Sequence, residues 1–167
     1  MTIDRKLKKK KKRDEKKKLK RQSDQRAFRN EKAEDFYWLM AQAYNMRDYR
    51  TALKWALKRL KIAPSDNRTR DIAIFCADKV RDAETLYTLL EDSWRKKLLT
   101  DNEDHLVLGN LAMGRKNFSL AKDVFKKLIG DHKKLRGRIS KTDLKDAANW
   151  VTYCENMIQK QTANAAP

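Results

Sequence analysis

Residues that interrupt regular backbone structure are scarce in this chain, which has four glycines and two prolines among 167 residues. Strand-like alternation of apolar and polar residues between turn signals is also missing. Because sheets need frequent turns, this composition predicts an all-helical chain. The two cysteines, Cys76 and Cys154, both fall within apolar helical patterns. They indicate no disulfide framework, and a reducing compartment is the expected location.

Long apolar stretches are missing as well. No run approaches the roughly 20 apolar residues of a membrane-spanning helix, so no membrane association is predicted. The N-terminal segment is basic but lacks the apolar core of a secretory signal, and its lysines and acids are untypical of a transit peptide. We therefore expect an intracellular, cytoplasmic protein, or a nuclear one if the source cell has a nucleus.

Signatures of catalysis and metal binding are missing too. The sequence has no glycine-rich phosphate loop, no Gly-x-Ser-x-Gly and no His-Glu-x-x-His. Neighbouring carboxylates such as Glu34 and Asp35 point in different directions on a helix. His105 and His132 lack the paired spacing of zinc ligands, and His105 falls in a packing register that predicts a structural role. We therefore predict that the chain is not an enzyme and that it binds no cofactor and no metal ion.

Positive charge, by contrast, is present in excess. The net charge is +18, from 41 Lys/Arg and 23 Asp/Glu. Residues 1–32 hold 16 Lys/Arg and 5 Asp/Glu, so about a fifth of the chain carries +11 of that charge. Such a segment buries too little apolar surface to offset the entropy of ordering. Residues 1–32 are therefore predicted to be a basic tail, either disordered or a solvated helix.

An internal repeat of 34–35 residues runs through the rest of the chain. Four apolar registers keep this spacing: Tyr49, Ala83 and Phe118; Ala52, Leu86 and Ala121; Ala56, Leu90 and Phe125; and Leu60, Trp94 and Ile129. A period of this size is typical of stacked helical hairpins, in which neighbouring units together bury one continuous core.

The repeat predicts an ordered domain over residues 33–161. Its parts are hairpins at about 33–65, 66–100 and 102–130 and a lone capping helix at about 141–161, before a frayed end at 162–167. Residues 131–140 are predicted to be a basic linker. Ser140 with Asp143 resembles a capping box at the start of the last helix.

The order of large and small residues within each hairpin resembles the tetratricopeptide-repeat family. The first hairpin carries the pattern at Tyr37, Met40, Ala41, Tyr44, Tyr49, Ala52, Ala56 and Pro64. The third carries it at His105, Leu108, Gly109, Ala112, Phe118, Ala121 and Phe125, and the middle one mainly at Ile72, Phe75 and Cys76. The resemblance implies an all-α, right-handed helical-hairpin solenoid. Small residues would lie where paired helices cross, at Ala41, Cys76, Gly109 and Ala148.

The resemblance also implies a concave groove lined by the first helix of each hairpin. Carried over to this chain, the groove residues are Trp38, Gln42, Asn45, Arg70, Ala73, Ala77, Leu106, Asn110 and Met113. Some family members clamp a C-terminal carboxylate there, but Trp38 stands where a clamp lysine is expected. We therefore expect the groove to take an apolar or amphipathic segment of a protein partner.

Clustered basic residues predict a second contact, with nucleic acid or a ribonucleoprotein, because lysines and arginines bind phosphates by releasing counterions. The candidates are Lys8, Lys9, Lys10, Lys11, Lys12, Arg13, Lys16, Lys17, Lys18, Lys20, Arg21, Lys133, Lys134, Arg136 and Arg138. Further basic residues on the first hairpin are Lys54, Lys58, Arg59 and Lys61. Candidates for stacking on bases are Trp38, Trp55, Trp94 and Trp150, with Trp94 assigned to the core. The alternative is a solvated tail that only aids solubility.

These features predict a non-catalytic adaptor that binds a protein segment in its groove and is tethered to nucleic acid or a ribonucleoprotein by its tail. Two alternatives remain open: a small repeat chaperone for secretion or assembly clients, and the adaptor domain of a larger nucleic-acid enzyme.

Overall fold

The computed structural model describes residues 3–165, with side-chain surroundings described for residue 15 and residues 17–164. Seven α-helices follow one another in this range: α1 (Ile3–Asn45), α2 (Tyr49–Ile62), α3 (Asn67–Lys79), α4 (Ala83–Arg95), α5 (Asn102–Gly114), α6 (Phe118–Asp131) and α7 (Lys141–Ala165). These residues contain no β-strand, only an isolated bridge between Asp101 and Arg136. The predicted all-α class of successive helical hairpins is confirmed, whereas its right-handed superhelical course stays a prediction.

Helix α1 is 43 residues long and passes from the basic segment into the first hairpin without a break. The boundary predicted after residue 32 therefore falls inside a continuous helix. Residues 17–32 are exposed on every side of it. Their lysines, arginines and glutamines are good helix formers but offer no apolar stripe for another helix to cover.

The chain divides into two compact units, one ending at Cys76 and the other starting at Ala77. In the first unit α1 packs against α2, and the side chains of Met40, Ala52 and Ala56 are fully buried. The rings of Tyr44, Tyr49 and Phe75 contact one another with centroids 5.6–6.0 Å apart. Because Phe75 lies on α3, these rings hold that helix against the first hairpin.

The side chain of Arg59 on α2 contacts both α1 and the segment before α3. Its Nε donates to Asp66 at 2.7 Å, its Nη1 donates to the carbonyl of Ala33 on α1, and its guanidinium lies 4.9 Å from the Tyr37 ring centroid. Asp66 in turn accepts from the backbone N–H of Thr69 at 3.1 Å, at the start of α3. Only 13% of the Arg59 side chain is exposed. Arg59 therefore serves the fold and is removed from the basic surface predicted along α2.

One turn geometry ends α1, α3, α4 and α5. Each of these turns has a basic residue in the left-handed region, with φ between 57° and 60°: Arg47, Arg81, Lys97 and Lys116. Helices commonly end on such a residue, but it is usually glycine, because a side chain in this region costs about 1–2 kcal/mol. The turns therefore hold four cationic side chains at positions where the backbone would favour glycine.

At three of these turns, the residue directly after the left-handed one hydrogen-bonds to the end of one helix and caps the start of the next. The backbone N–H groups of Asp48, Asp82 and Asn117 donate at 2.9 Å to the carbonyls of Ala43, Ala77 and Ala112. Their side chains accept from the backbone N–H groups of Thr51, Thr85 and Leu120. The period in the sequence thus corresponds to a repeated turn as well as to a repeated core.

Helices α5, α6 and α7 enclose the core of the second unit, around the fully buried Phe125 and Leu128. A Cβ placed on Gly109 would overlap the Phe125 ring, so the close helix crossing predicted at Gly109 is confirmed. Ala148 was expected at a similar crossing, but it is exposed and its neighbour Ala147 is buried. The reason is that α7 packs on this core through Ala147, so the side chain of Ala148 points about 100° away from it.

The segment between α6 and α7 is an ordered loop fixed to the start of α5. The backbone of Arg136 exchanges hydrogen bonds of 2.8 Å with Thr100 and Asn102. The buried amide of Asn102 also donates to the carbonyls of His132 at 3.1 Å and Gly137 at 2.9 Å. The capping box predicted at the end of this loop is confirmed, since Asp143 N–H donates to Ser140 Oγ at 3.0 Å and Ser140 N–H donates to the Asp143 carboxylate at 3.3 Å.

The close crossing at Gly109 leads to a stability prediction. We expect Gly109→Ala to lower the free energy of unfolding by about 1–3 kcal/mol, because the added methyl displaces the buried Phe125 ring. The matched control is Gly114→Ala, where no atom lies within 4 Å of the added Cβ. The control should be neutral or stabilising by up to about 1 kcal/mol, since alanine favours the helix. Urea unfolding of both variants measures the difference, and equal stabilities would contradict the close crossing.

Candidate functional site

The first group of predicted groove residues lies along one face of α1. Trp38, Gln42 and Asn45 are all exposed and occupy successive helical turns. Trp38 is 68% exposed, the most exposed of the four tryptophans, and Met46 beyond the helix end is 73% exposed. The ring of the neighbouring Tyr37 packs against the guanidinium of Arg59 on α2. One residue further along a helix, the Trp38 side chain points about 100° away from that contact.

The second group of groove residues is corrected by the structure. Arg70, Ala73 and Ala77 form one face of α3, and all three are buried. Arg70 is 4% exposed, and its guanidinium donates to the carbonyl of Pro64 at 2.6 Å and to Asn67 Oδ1 at 3.2 Å. This face is the packed side of α3, because two alanines allow close approach and Arg70 is engaged at the helix start. The three residues offer no side-chain surface to a partner.

The third group lies on α5 in the second unit. Asn110 is exposed, whereas Leu106 and Met113 are half-buried against the core formed with α6 and α7. The structure therefore brings together Trp38, Gln42 and Asn45 on one helix, and Leu106, Asn110 and Met113 on another. A groove joining the two groups combines residues of both compact units, and it stays a prediction.

The predicted phosphate-binding residues fall into three groups. Lys8, Lys9, Lys10, Lys11, Lys12, Arg13 and Lys16 lie outside the residues whose side chains are described. Lys17, Lys18, Lys20 and Arg21 are exposed on α1. Lys133, Lys134, Arg136 and Arg138 are exposed on the ordered loop after α6, where Lys134 pairs with Asp131 at 3.3 Å. The hydrogen bonds from Asn102 hold the backbone of this loop in place, so the four basic residues are attached to an ordered segment.

A concavity of about 590 Å³ in the second unit was not predicted from the sequence. Its lining is Trp94, Arg95, Lys97, Leu99, His105, Lys127 and Leu135. Arg95 and Lys127 at its edge form ion pairs with Glu91 and Asp131. The lining residues come from α4, α5, α6 and two connections, so sequence spacing alone carried no signal for their association.

His105 is the buried titratable group of this concavity, with 1% of its surface exposed. Its Nδ1 lies 2.6 Å from the carbonyl oxygen of Asp101, so Nδ1–H donates there, and its ring meets Trp94 edge-to-face. Burial lowers the pKa of His105 below its ordinary value, and the nearby Lys127 lowers it further. The structural role predicted for His105 is confirmed by this packing.

The part of the chain described by the structure offers no cluster of His, Cys, Asp or Glu that could hold a metal ion. Cys76 is buried, and burial raises the pKa of its thiol to about 11. The thiol is therefore protonated at neutral pH and is a poor ligand or nucleophile. Within residues 3–165, no helix combines the length and apolar character needed to cross a membrane.

Comparison with known proteins gives a remote structural likeness. No protein-family model and no curated protein sequence matches the chain. Among solved structures, the chain is similar to the Sgt2 TPR domain from Aspergillus fumigatus, at 14% sequence identity and a TM-score of 0.47. The alignment covers 81% of this chain and 84% of that chain. A likeness at this level carries no argument about fold or function.

The lowered pKa of His105 leads to a pH prediction. The imidazole of His105 takes up a proton less readily in the folded protein than in the unfolded chain. The contribution of neutral His105 to the free energy of unfolding is therefore complete above about pH 6.5 and is lost as the pH falls below that value. We expect the free energy of unfolding to fall between about pH 7.5 and pH 5.5, by up to roughly 1.4 kcal/mol for each unit of pKa depression. In His105→Gln this dependence should be smaller, as measured by urea unfolding at both pH values. An unchanged dependence would show that His105 titrates normally.

Proposed function

We propose that this chain is a non-catalytic adaptor that binds a segment of a partner protein and contacts nucleic acid or a ribonucleoprotein. The observation that carries the proposal is the exposed stripe of Trp38, Gln42, Asn45 and Met46 at the end of α1. Trp38 and Met46 leave most of their apolar surface in water, although the same hairpin buries Met40 completely. Large exposed apolar side chains beside a packed core are typical of protein-binding surfaces.

The chemistry of the stripe suits a helix or an extended segment of a protein. Tryptophan is enriched among the residues that dominate binding energy at protein interfaces. Gln42 and Asn45 flank it on successive turns and supply amide donors and acceptors for a partner's backbone or polar side chains. In the second unit, Asn110 is exposed on α5 with Leu106 and Met113 partly accessible beside it, and these residues are a separate candidate surface. Arg70, Ala73 and Ala77 have no part in this surface, because they are buried.

The nucleic-acid contact is assigned to the basic part of α1. Lys17, Lys18, Lys20 and Arg21 lie exposed on a helix that has little apolar surface. A row of cations on a solvated helix attracts phosphates and releases counterions when they bind, without any sequence preference. The loop cations Lys133, Lys134, Arg136 and Arg138 add a second candidate surface in the other unit. A chaperone for secretion or assembly clients would use the stripe but would have no need for these cations.

The stripe is tested by Trp38→Ala, with Trp150→Ala as the matched control, since Trp150 is also exposed but lies on α7. Recovery of partner proteins from native lysate, quantified by mass spectrometry, should fall about tenfold or more for Trp38→Ala, as for an interface residue that contributes over 1.4 kcal/mol. Circular dichroism should be unchanged, because Trp38 is mostly exposed. Equal recovery by both variants and the wild-type chain would exclude the stripe.

The basic helix is tested by the change of Lys17, Lys18, Lys20 and Arg21 to glutamine, which preserves helix propensity and removes four charges. We expect weaker retention on labelled nucleic acid and a salt dependence reduced by about 0.7–0.9 per lost phosphate contact. Retention equal to that of the wild-type chain across a salt series would sink this half of the proposal. Recovery of a single protein client without any nucleic acid would favour the chaperone alternative.

A further inference from the structure

Cations and aromatic rings alternate across one face of the first hairpin, where the sequence predicted only scattered lysines and a candidate tryptophan. We name this face the basic–aromatic strip and define it by Phe28, Lys32 and Phe36 on α1 and by Lys54, Trp55 and Lys58 on α2. All six residues belong to the first compact unit. The packing of α1 against α2 brings the two sets together.

On α1 the strip follows the spacing of one helix face. Phe28, Lys32 and Phe36 are four residues apart, so they lie on successive turns within about 80° of one another. Phe28 is 63% exposed. The Lys32 Nζ lies 5.9 Å from the ring centroid of Phe28 and 6.0 Å from that of Phe36. The ammonium group therefore sits between two aromatic faces.

On α2 the strip continues through Trp55, whose ring stacks on Phe36 with centroids 5.5 Å apart and planes inclined by 29°. The Lys58 Nζ lies 4.3 Å from the Trp55 ring centroid and 5.7 Å from that of Phe36. The Lys54 Nζ lies 5.5 Å from the Trp55 ring centroid. Three cations thus surround three rings, two of which are half-buried and fixed by the hairpin packing.

The three lysines keep their charge available to a ligand. None of them forms an ion pair with a carboxylate among the side chains that the structure describes. Arg59 on the same helix shows the contrast, because Asp66 pairs with it at 2.7 Å. An ammonium held over a ring stays positive and retains donors for a phosphate oxygen.

A concavity of about 580 Å³ opens beside the strip. It is lined by Asp24, Gln25, Phe28, Arg29, Lys32 and Ile62. Phe28 and Lys32 belong both to the strip and to this lining, and Arg29 adds a further cation. Asp24 is the one carboxylate among the residues of the lining. The hairpin therefore presents a concave surface with an exposed ring and two cations at its edge.

We infer that the basic–aromatic strip binds single-stranded nucleic acid, with a base stacked on the exposed ring of Phe28, beside the half-buried Phe36 and Trp55, and with phosphates paired with Lys32, Lys54 and Lys58. Aromatic platforms interleaved with cations suit single strands, whose bases are free to stack on protein rings. A duplex keeps its bases stacked inside and would use only the charges. This inference rests on the proposed nucleic-acid contact and deepens it, because it names the ligand class and a site outside the lysine-rich tail.

The test uses the full chain and three labelled probes of about 20 nucleotides: oligo-dT, oligo-U and a DNA duplex of equal length. Phe28→Ala should weaken single-strand binding roughly tenfold or more and leave duplex binding unchanged, because it removes a stacking surface and no charge. Because Phe28 is mostly exposed, the variant should fold normally, as checked by circular dichroism. Comparison of oligo-dT with oligo-U distinguishes DNA from RNA as the preferred single strand.

A matched pair of charge variants separates the strip from the tail. Changing Lys32, Lys54 and Lys58 together to glutamine should lower the salt dependence of single-strand binding by about 2, which is 0.7 for each lost phosphate contact. It should also reduce the preference for single strands, because the phosphates paired with these lysines hold the bases against the Phe28 ring. The control changes Lys17, Lys18 and Lys20 to glutamine, which removes the same charge from α1 and should weaken both probe types equally.

The outcomes distinguish this inference from the proposed function. If the wild-type chain binds single strands more tightly than duplex, and only the strip variants lose that preference, the inference holds. A wild-type chain that prefers duplex, or strip variants that retain the single-strand preference, would overturn the strip and leave the tail contact standing. Failure of the wild-type chain to bind any of the three probes would overturn the strip together with the nucleic-acid half of the proposed function.

Discussion

Three turn residues, Asp48, Asp82 and Asn117, set the spacing on which the rest of the structure depends. The backbone N–H of each ends one helix, and the side chain of each begins the next. Hydrogen bonds from Thr51 and Thr85 lower the pKa values of Asp48 and Asp82, so both carboxylates are ionised and remain good acceptors at neutral pH. Because one residue both ends a helix and caps the next, it determines where the second helix begins relative to the end of the first. The buried faces can then recur every 34–35 residues.

The first hairpin has two different outer surfaces. Phe36 and Trp38 are two residues apart on α1, so their side chains point about 200° away from each other. Near Phe36 the basic–aromatic strip therefore lies on the opposite side of α1 from the Trp38 stripe. Phe28 points only about 80° from Trp38, but it lies about 15 Å away along the helix axis. The two surfaces are therefore separate, so the protein segment and the single strand that we propose as ligands would not compete for one surface. The hairpin itself is held together by the buried side chains of Met40 and the alanines of α2 and by the hydrogen bonds of Arg59.

In the second unit, one polar side chain has a comparable organising effect. Asn102 is buried and reaches across to carbonyls 30 and 35 residues later in the chain, so the loop after α6 is anchored at both sides of Arg136. The loop cations therefore owe their positions to an amide on another helix. His105, three residues after Asn102, is buried in the same region and packs on Trp94. Polar residues placed in this core are tolerated because hydrogen bonds to backbone carbonyls offset part of their desolvation.

Helices, turns and charge could be read from the sequence because their causes are local. Apolar periodicity, the capping box at Ser140 and the close crossing at Gly109 depend on residues within one helix or one hairpin, and the structure confirms them. The misassigned positions depend on which faces meet. Arg70, Ala73 and Ala77 are buried, and Ala148 is exposed because α7 packs on the core through Ala147. Lys32 and Lys58, which contact Phe36 and Trp55, come from two different helices, and the hydrogen bond from Asn102 to Gly137 spans 35 residues. The sequence by itself determined an all-α chain of helical hairpins preceded by a strongly basic segment, since short-range spacing and composition specify these features. That this segment and the first hairpin form one continuous helix was seen only in the structure. Only tertiary packing decided which of its cations and rings lie together, because those contacts join residues that no local pattern relates.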